Sequence, residues 1–171
     1  IQDIARFVPS SLGPATAGTF EFYFDGSDVG LTTSGEKIDT LARRPDGTLL
    51  IGSSGAASVK NGGSTVKAAD EDLLAFAPAA LGAATSGSWS LAFDGSRLSG
   101  MAVENLTAAW HDAATGDLYL TVTSNFTIAG VGGTNRTVLR VTPAGAVAVY
   151  WNAADAGFPA LIDGLHVQKI K

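Results

Sequence analysis

The sequence predicts an all-β fold of antiparallel strands, and three observations lead to that prediction. Runs of roughly four to eight residues are rich in Val, Ile, Leu, Thr and aromatic residues and are bounded by Gly, Pro, Asp or Asn. Asp46-Gly47 and Thr115-Gly116 lie between such runs, where a tight hairpin turn is needed. The third observation is a long internal repeat.

The repeat is visible as an alignment of residues 2–25 with residues 71–94, without gaps and at a spacing of about 69 residues. A shorter third copy follows as TVLRVTPAG and AVAVYWN. A second repeated element reads IDTLA at 38–42, VENLT at 103–107 and IDGLH at 162–166. The pattern predicts eleven strands: half a unit, two four-stranded units and a final lone strand.

We therefore interpret residues 1–171 as one domain, with repeat copies at 2–70, 71–136 and a shortened 137–171. A four-stranded antiparallel meander that recurs at this length is typical of β-propeller blades. Two blades and a split third are too few to close a ring, since propellers typically have about four to eight. A closed β-barrel or β-sandwich is therefore the alternative architecture.

Aromatic residues in the predicted strands alternate with polar or small ones. This spacing places Phe20, Phe22 and Phe24 on one face of a strand. Trp89 and Trp151 share faces with other large apolar residues, so we expect both in the core.

Composition excludes several classes of function. The net charge of -5 and the absence of a basic cluster argue against nucleic acid as a partner. No apolar run reaches the roughly 18 residues needed to span a membrane, and the absence of cysteine excludes disulfides and thiolate sites. A surface rich in Gly, Ala, Ser and Thr is common in secreted proteins, so an extracellular or cell-surface location is expected.

Three stretches carry a resemblance: SSLGPATAGTFEFYFDGSDVGL, KIDTLARRPDGTLLIGSS and DEDLLAFAPAALG. They resemble β-rich tandem repeats of large secreted and cell-surface bacterial proteins, with motifs of the type SLGxxTxGTWxLYFDGSDVGL. The resemblance implies an extracellular setting and no particular chemistry. The second copy departs from the motif, because DGSRLSG stands where the first copy has DGSDVGL.

Catalytic motifs are absent from the sequence. The chain has two histidines, and no G-x-S-x-G elbow is present. Gly130-Val131-Gly132-Gly133 lies between strands rather than between a strand and a helix, so it does not read as a phosphate-binding loop. We therefore predict a protein that is not an enzyme.

Acidic residues suggest calcium as a possible cofactor, because hard cations bind several loop oxygens. Asp25 and Asp28 lie three residues apart, and Asp94 repeats the first of them; a hydrogen-bonded Asx turn is the alternative. Asp39, Glu104 and Asp163 occupy one position in the three copies of the second element. They would either line a channel or hydrogen-bond the neighbouring unit.

Two functions remain open. The first is a structural or assembly module that associates with itself or with other cell-surface components through terminal edge strands, the last of them Leu161 to Ile170. The alternative is a carbohydrate-binding module, in which exposed aromatic rings stack on sugars. Its candidate residues are Trp110, His111, Tyr119 and Tyr150.

Overall fold

The computed structural model describes residues 2–168, and its regular structure is made of strands. The strands are β1 (Ile4–Ser11), β2 (Ala17–Phe24), β3 (Ile38–Arg43), β4 (Leu49–Ser53), β5 (Ala57–Asn61), β6 (Ser64–Ala68), β7 (Leu73–Ala80), β8 (Ser86–Phe93), β9 (Leu106–His111), β10 (Leu118–Val122), β11 (Phe126–Ile128), β12 (Val131–Gly133), β13 (Thr137–Val141) and β14 (Val147–Asn152). Four short 3-10 turns complete the regular structure of these residues. The all-β prediction is confirmed.

Two four-stranded antiparallel sheets form the body of the chain. The first sheet has the order β3-β4-β7-β8, and the second has the order β9-β10-β13-β14. In each sheet a separate two-stranded hairpin, β5-β6 or β11-β12, is inserted along the chain between the second and third strands. Strands β1 and β2 form a hairpin of their own, and no sheet within residues 2–168 closes on itself.

The hairpins β1-β2 and β7-β8 match pair by pair. Phe7 lies opposite Phe20 as Phe76 lies opposite Trp89, and both hairpins have a register shift near the end of the second strand. In β2 this shift inserts Tyr23, and a bulge of this kind interrupts the alternation of faces. The prediction of one face for Phe20, Phe22 and Phe24 is therefore wrong: the exposed fractions are 77%, 53% and 0%.

Apolar side chains fill two main clusters. One cluster, which we call the first contact, lies where the β1-β2 hairpin and the β5-β6 hairpin cover one face of the first sheet. Phe24, Phe76 and Trp89 are buried there. The other cluster, which we call the second contact, lies where the opposite face of the first sheet packs on the second sheet. The β11-β12 hairpin adds Phe126 and Ile128 to it.

The inserted hairpins are the main elements that the sequence analysis missed. The structure has fourteen strands and not the eleven predicted, because these hairpins add four strands and the predicted final strand is not formed within the described residues. Their signal was present: β5 and β6 alternate in polarity and are separated by Gly62-Gly63, with Gly62 at φ +58°. The predicted final strand also differs. Residues 161–168 form irregular chain, held against the second sheet by hydrogen bonds from Thr107 and Thr121 to Ile162 O, and Ile170 lies outside the described residues.

Strand pairing also corrects the register of the second repeated element. Ile38 lies opposite Ser53 and Leu106 lies opposite Val122, in each case just before a register shift. Ile38 therefore corresponds to Leu106 and not to Val103. By the same register the counterpart of Glu104 is Glu36, and both carboxylates are buried, with exposed fractions of 5% and 3%.

No helix within the described part of the chain has the length and apolar character that crossing a membrane would require.

Candidate functional site

The predicted calcium ligands of the Asp-Gly-Ser turns are occupied by hydrogen bonds within the protein. Asp25 Oδ1 accepts from the backbone N–H and the hydroxyl of Ser27, at 3.0 and 2.7 Å. Asp28 accepts from the backbone N–H of Thr85 at 2.9 Å. These contacts are those of an Asx turn and of a link between loops.

Asp94 makes similar contacts in the second copy. Its carboxylate accepts from the Ser96 hydroxyl at 2.6 Å and from Arg97 Nε at 3.1 Å. The Ser96 hydrogen bond, and after it the Arg97 guanidinium, hold the pKa of Asp94 below its ordinary value. Since Arg97 replaces the second acid of the motif, this turn carries a cation where the first copy carries a carboxylate.

The three acids expected at one repeated position lie in different environments. Asp39 is exposed and accepts from the Asn105 side chain at 3.0 Å, which links β3 to the residue before β9. Glu104 is buried and accepts from the Ser124 hydroxyl at 2.6 Å. Asp163 is exposed on the irregular segment. Within residues 2–168 no three His, Asp or Glu side chains gather into a group that could hold a metal ion.

Three of the four predicted ligand-binding residues form an aromatic row on the outer face of the second sheet. The ring of Tyr119 lies edge-on to Trp110 at 5.5 Å and to Tyr150 at 4.6 Å between centroids. Trp110 is half-buried and Tyr119 is almost fully buried, so Tyr150, which is 49% exposed, offers most of the accessible ring surface.

His111, the fourth of these residues, lies on the opposite face because neighbouring residues of a strand point to opposite sides. It lines a cleft between the two sheets together with Arg44, which comes from the turn after β3. Burial, and after it the Arg44 charge, lowers the pKa of His111 below its ordinary value, although Asp112 and Asp46 act in the other direction. The structure thus separates His111 from the other three candidates.

The sequence analysis missed an exposed apolar face at each end of the array of sheets. At one end Phe7 and Phe20 stack at 5.1 Å, although Phe20 is 77% exposed. At the other end Trp151, which was expected in the core, is 40% exposed and contacts Phe158 at 5.7 Å. Both faces lie close in sequence to predicted acidic residues, Asp25 and Asp163, and only the packing of the sheets reveals that the rings of Phe20 and Trp151 remain exposed.

Comparison with known proteins finds no match: no family model, no curated protein and no solved structure matches this chain.

Proposed function

We propose that this chain is a non-catalytic structural module of a secreted or cell-surface protein, and that it associates head to tail with further copies of itself. The observation that carries the proposal is that the two outer faces of the array of sheets expose aromatic residues at the strand positions that make the contacts between its units.

The first and second contacts are built in the same way. The residue after the register shift in the second strand of a hairpin packs onto the next sheet: Phe24 lies edge-on to Phe76 and Trp89, at 5.2 and 6.3 Å. Phe93 has the same position in β8 and packs into the second contact with Val141 and Val147. One face of each unit thus receives the opposite face of the unit before it.

The two outer faces carry aromatic residues at the equivalent positions. Residues 162–167 pack over part of the outer face of the second sheet, but Trp151 stays 40% exposed. Phe7 and Phe20 have the positions in β1-β2 that Phe76 and Trp89 have in β7-β8, and we call them the head face. Trp151 has the position in β14 that Phe24 has in β2, and with Phe158 it forms the tail face. Burying a large aromatic side chain stabilises an assembly by about 1.5–3 kcal/mol, so a second copy is the occupant whose chemistry fits.

A head-to-tail contact joins two different surfaces, and such contacts produce closed rings or open filaments. We further propose that the four-stranded sheets act as blade-like units within that stack, as in a propeller. The resemblance of the sequence to repeats of secreted and cell-surface bacterial proteins supports the extracellular setting, and other surface proteins with such units are further partners under this proposal.

The test uses two charge substitutions, Phe20→Glu on the head face and Trp151→Glu on the tail face, and measures molar mass by sedimentation against concentration. The wild type is expected to form oligomers, and each variant alone should be monomeric because one half of every junction is blocked. Val103→Glu is the control, since Val103 is 86% exposed and lies on neither face.

Mixing the two variants distinguishes this geometry from a symmetric dimer. The Phe20→Glu chain keeps an intact tail and the Trp151→Glu chain keeps an intact head, so the mixture should form one junction and stop at a dimer of one chain of each kind. A wild type that stays monomeric at all concentrations, or a mixture that stays monomeric, contradicts the proposal.

A second function, carbohydrate binding, is favoured by the aromatic row of Trp110, Tyr119 and Tyr150, because exposed rings stack on sugars. A glycan array tests it: Tyr150→Ala should abolish any binding, while Tyr23→Ala, which changes a half-buried tyrosine on β2, should not. Binding to no glycan on the array, or binding unaffected by Tyr150→Ala, contradicts this second proposal.

A further inference from the structure

A cleft of about 330 Å³ lies in the second contact, between the end of β8 and the ends of β9, β10 and β13. This volume is within the range of small-molecule sites in proteins. Its walls are of two kinds. Phe93, Leu98, Leu118 and Val141 are its apolar lining residues, while Arg44, Arg97 and His111 form what we call its polar side.

The cleft lies where the first contact holds two large rings and the second contact holds two valines, of which Val141 lines the cleft. Phe76 and Trp89 lie opposite each other in the first sheet, and strand pairing puts Val141 and Val147 at those positions in the second sheet. The Trp89 ring packs on Phe76 at 4.7 Å between centroids. Valine fills much less space than either ring, so room is left between the sheets.

The indole N–H of Trp89 also has no counterpart in the second contact, because Val147 holds the position of Trp89 there. In the first contact the Trp89 indole N–H donates to Val29 O at 2.9 Å. The residue that matches Val29 in the second copy is Leu98, which lines the cleft. The hairpin that would carry the ring is shortened to a tight turn, closed by a hydrogen bond from Gly145 N to Thr142 O at 2.8 Å.

Among the residues that line the cleft, two are cationic and one is acidic, while Asp46 and Asp112 act on His111 from outside that lining. Arg44 and Arg97 both line the cleft, whereas Asp94 is the acid that lines it, and that carboxylate already accepts from Arg97 and Ser96. Two nitrogens on this side, Arg44 Nε and His111 Nδ1, are buried and make no hydrogen bond. A buried polar group without a partner is destabilising, so a ligand that supplied acceptor oxygens would remove that cost.

We propose that this cleft binds a small anion that carries a flat ring, of the aromatic carboxylate class. The ring occupies the space that the Trp89 side chain fills in the first contact, and the carboxylate accepts hydrogen bonds from Arg44 and His111. The site is formed by one chain between its own sheets, so it does not depend on head-to-tail association.

Indole-3-acetate serves as the probe, and indole-3-acetamide is its uncharged match with the same ring. Titration of the full chain, followed by calorimetry, should give saturable binding of the carboxylate and an affinity for the amide that is lower by about tenfold or more, because hydrogen bonds to a charged group are the stronger ones. Arg44→Gln should reduce the affinity for indole-3-acetate by a similar factor.

Filling the cleft provides an independent measurement. Val141→Trp should abolish binding of indole-3-acetate because Val141 lines the cleft, and Leu118→Trp, at a second lining residue, is a variant of the same kind in case the first does not fold. Val149→Trp is the matched control, because Val149 is 47% exposed and does not line the cleft. Equal affinities for the carboxylate and the amide, or binding unchanged when the cleft is filled, would overturn the proposal.

Discussion

The first contact and the second contact join similar elements in different ways. In the first, three aromatic rings interlock and an indole N–H reaches across to a backbone carbonyl. In the second, Val141 and Val147 hold the positions of Phe76 and Trp89, and a cleft lined by Phe93 and Val141 remains. The comparison teaches that one strand arrangement supports either a tightly filled aromatic contact or an open one, according to two side chains.

Trp89→Ala should have the largest effect, because it removes the central ring of the first contact. Trp89 is 2% exposed, and truncating a buried aromatic residue costs about 3–5 kcal/mol in the free energy of unfolding. Urea denaturation measures the loss. Trp151→Ala is the control, since its ring is 40% exposed and should cost much less. Equal losses would mean that the first contact is not the stability-determining one.

Gly87→Ala should have the next largest effect on stability, and Gly18→Ala is the equivalent substitution in the β1-β2 hairpin. A Cβ at Gly87 would lie 2.4 Å from Ala77 O and 2.6 Å from the Phe76 ring, and one at Gly18 would lie 2.3 Å from Val8 O and 2.6 Å from the Phe7 ring, so the two sites differ only in the freedom of the ring. Phe76 is fully buried and cannot move away, so we expect a loss of about 1–3 kcal/mol for Gly87→Ala. Phe7 is on an open face, and the loss there should be smaller. Thermal denaturation of both variants checks this order.

Glu36→Gln sharpens the comparison of the two inserted hairpins. Glu36 accepts backbone N–H groups of Thr32, Thr33 and Ser58 at 2.8, 2.8 and 3.0 Å, whereas Glu104 accepts one hydroxyl. An amide puts a donor where an acceptor is needed, so Glu36→Gln should cost about 1–3 kcal/mol. Glu104→Gln should cost less, because an amide oxygen can still accept from Ser124.

The pH dependence of stability tests the same carboxylate. Burial opposes ionisation of Glu36, but the three backbone N–H groups together lower its pKa below the ordinary value. A lowered folded-state pKa means that the unfolded chain binds the proton more tightly, so this stabilisation is present above the unfolded value of about 4.3 and is lost as the pH falls through the folded value. Urea denaturation between about pH 3 and 6 should show a smaller acid loss in Glu36→Gln than in the wild type.

His111 should produce the smallest effect. Its pKa is lowered in the folded protein, chiefly by burial and then by Arg44, so the unfolded chain binds the proton first as the pH falls. Stability should therefore rise with pH in a window just below about 6.5, the ordinary imidazole value. His111→Asn should remove that slope, while His166→Asn, at an exposed residue, should retain it. If the dependence of stability on pH remains in His111→Asn, another titrating group causes it.

Strand content, hairpin turns and the correspondence of residues 2–25 with residues 71–94 were readable in the sequence. Those features depend on local propensity and on side-chain spacing, which adjacent residues decide. The pairing of Phe7 with Phe20 and of Phe76 with Trp89 has the same local origin. The inserted hairpin around Gly62-Gly63 is equally local, because its turn signal is present in the sequence.

Tertiary structure decided which of these aromatic residues are buried. The bulge at Tyr23 separates Phe24 from Phe20, and the packing of whole sheets leaves Trp151 open while it encloses Trp89. The cleft has the same origin, because Arg44, Arg97 and His111 come from three separate turns and strand ends. Burial and clefts depend on which faces meet across the fold, and the pattern along one strand carries no information about the strand that will cover it.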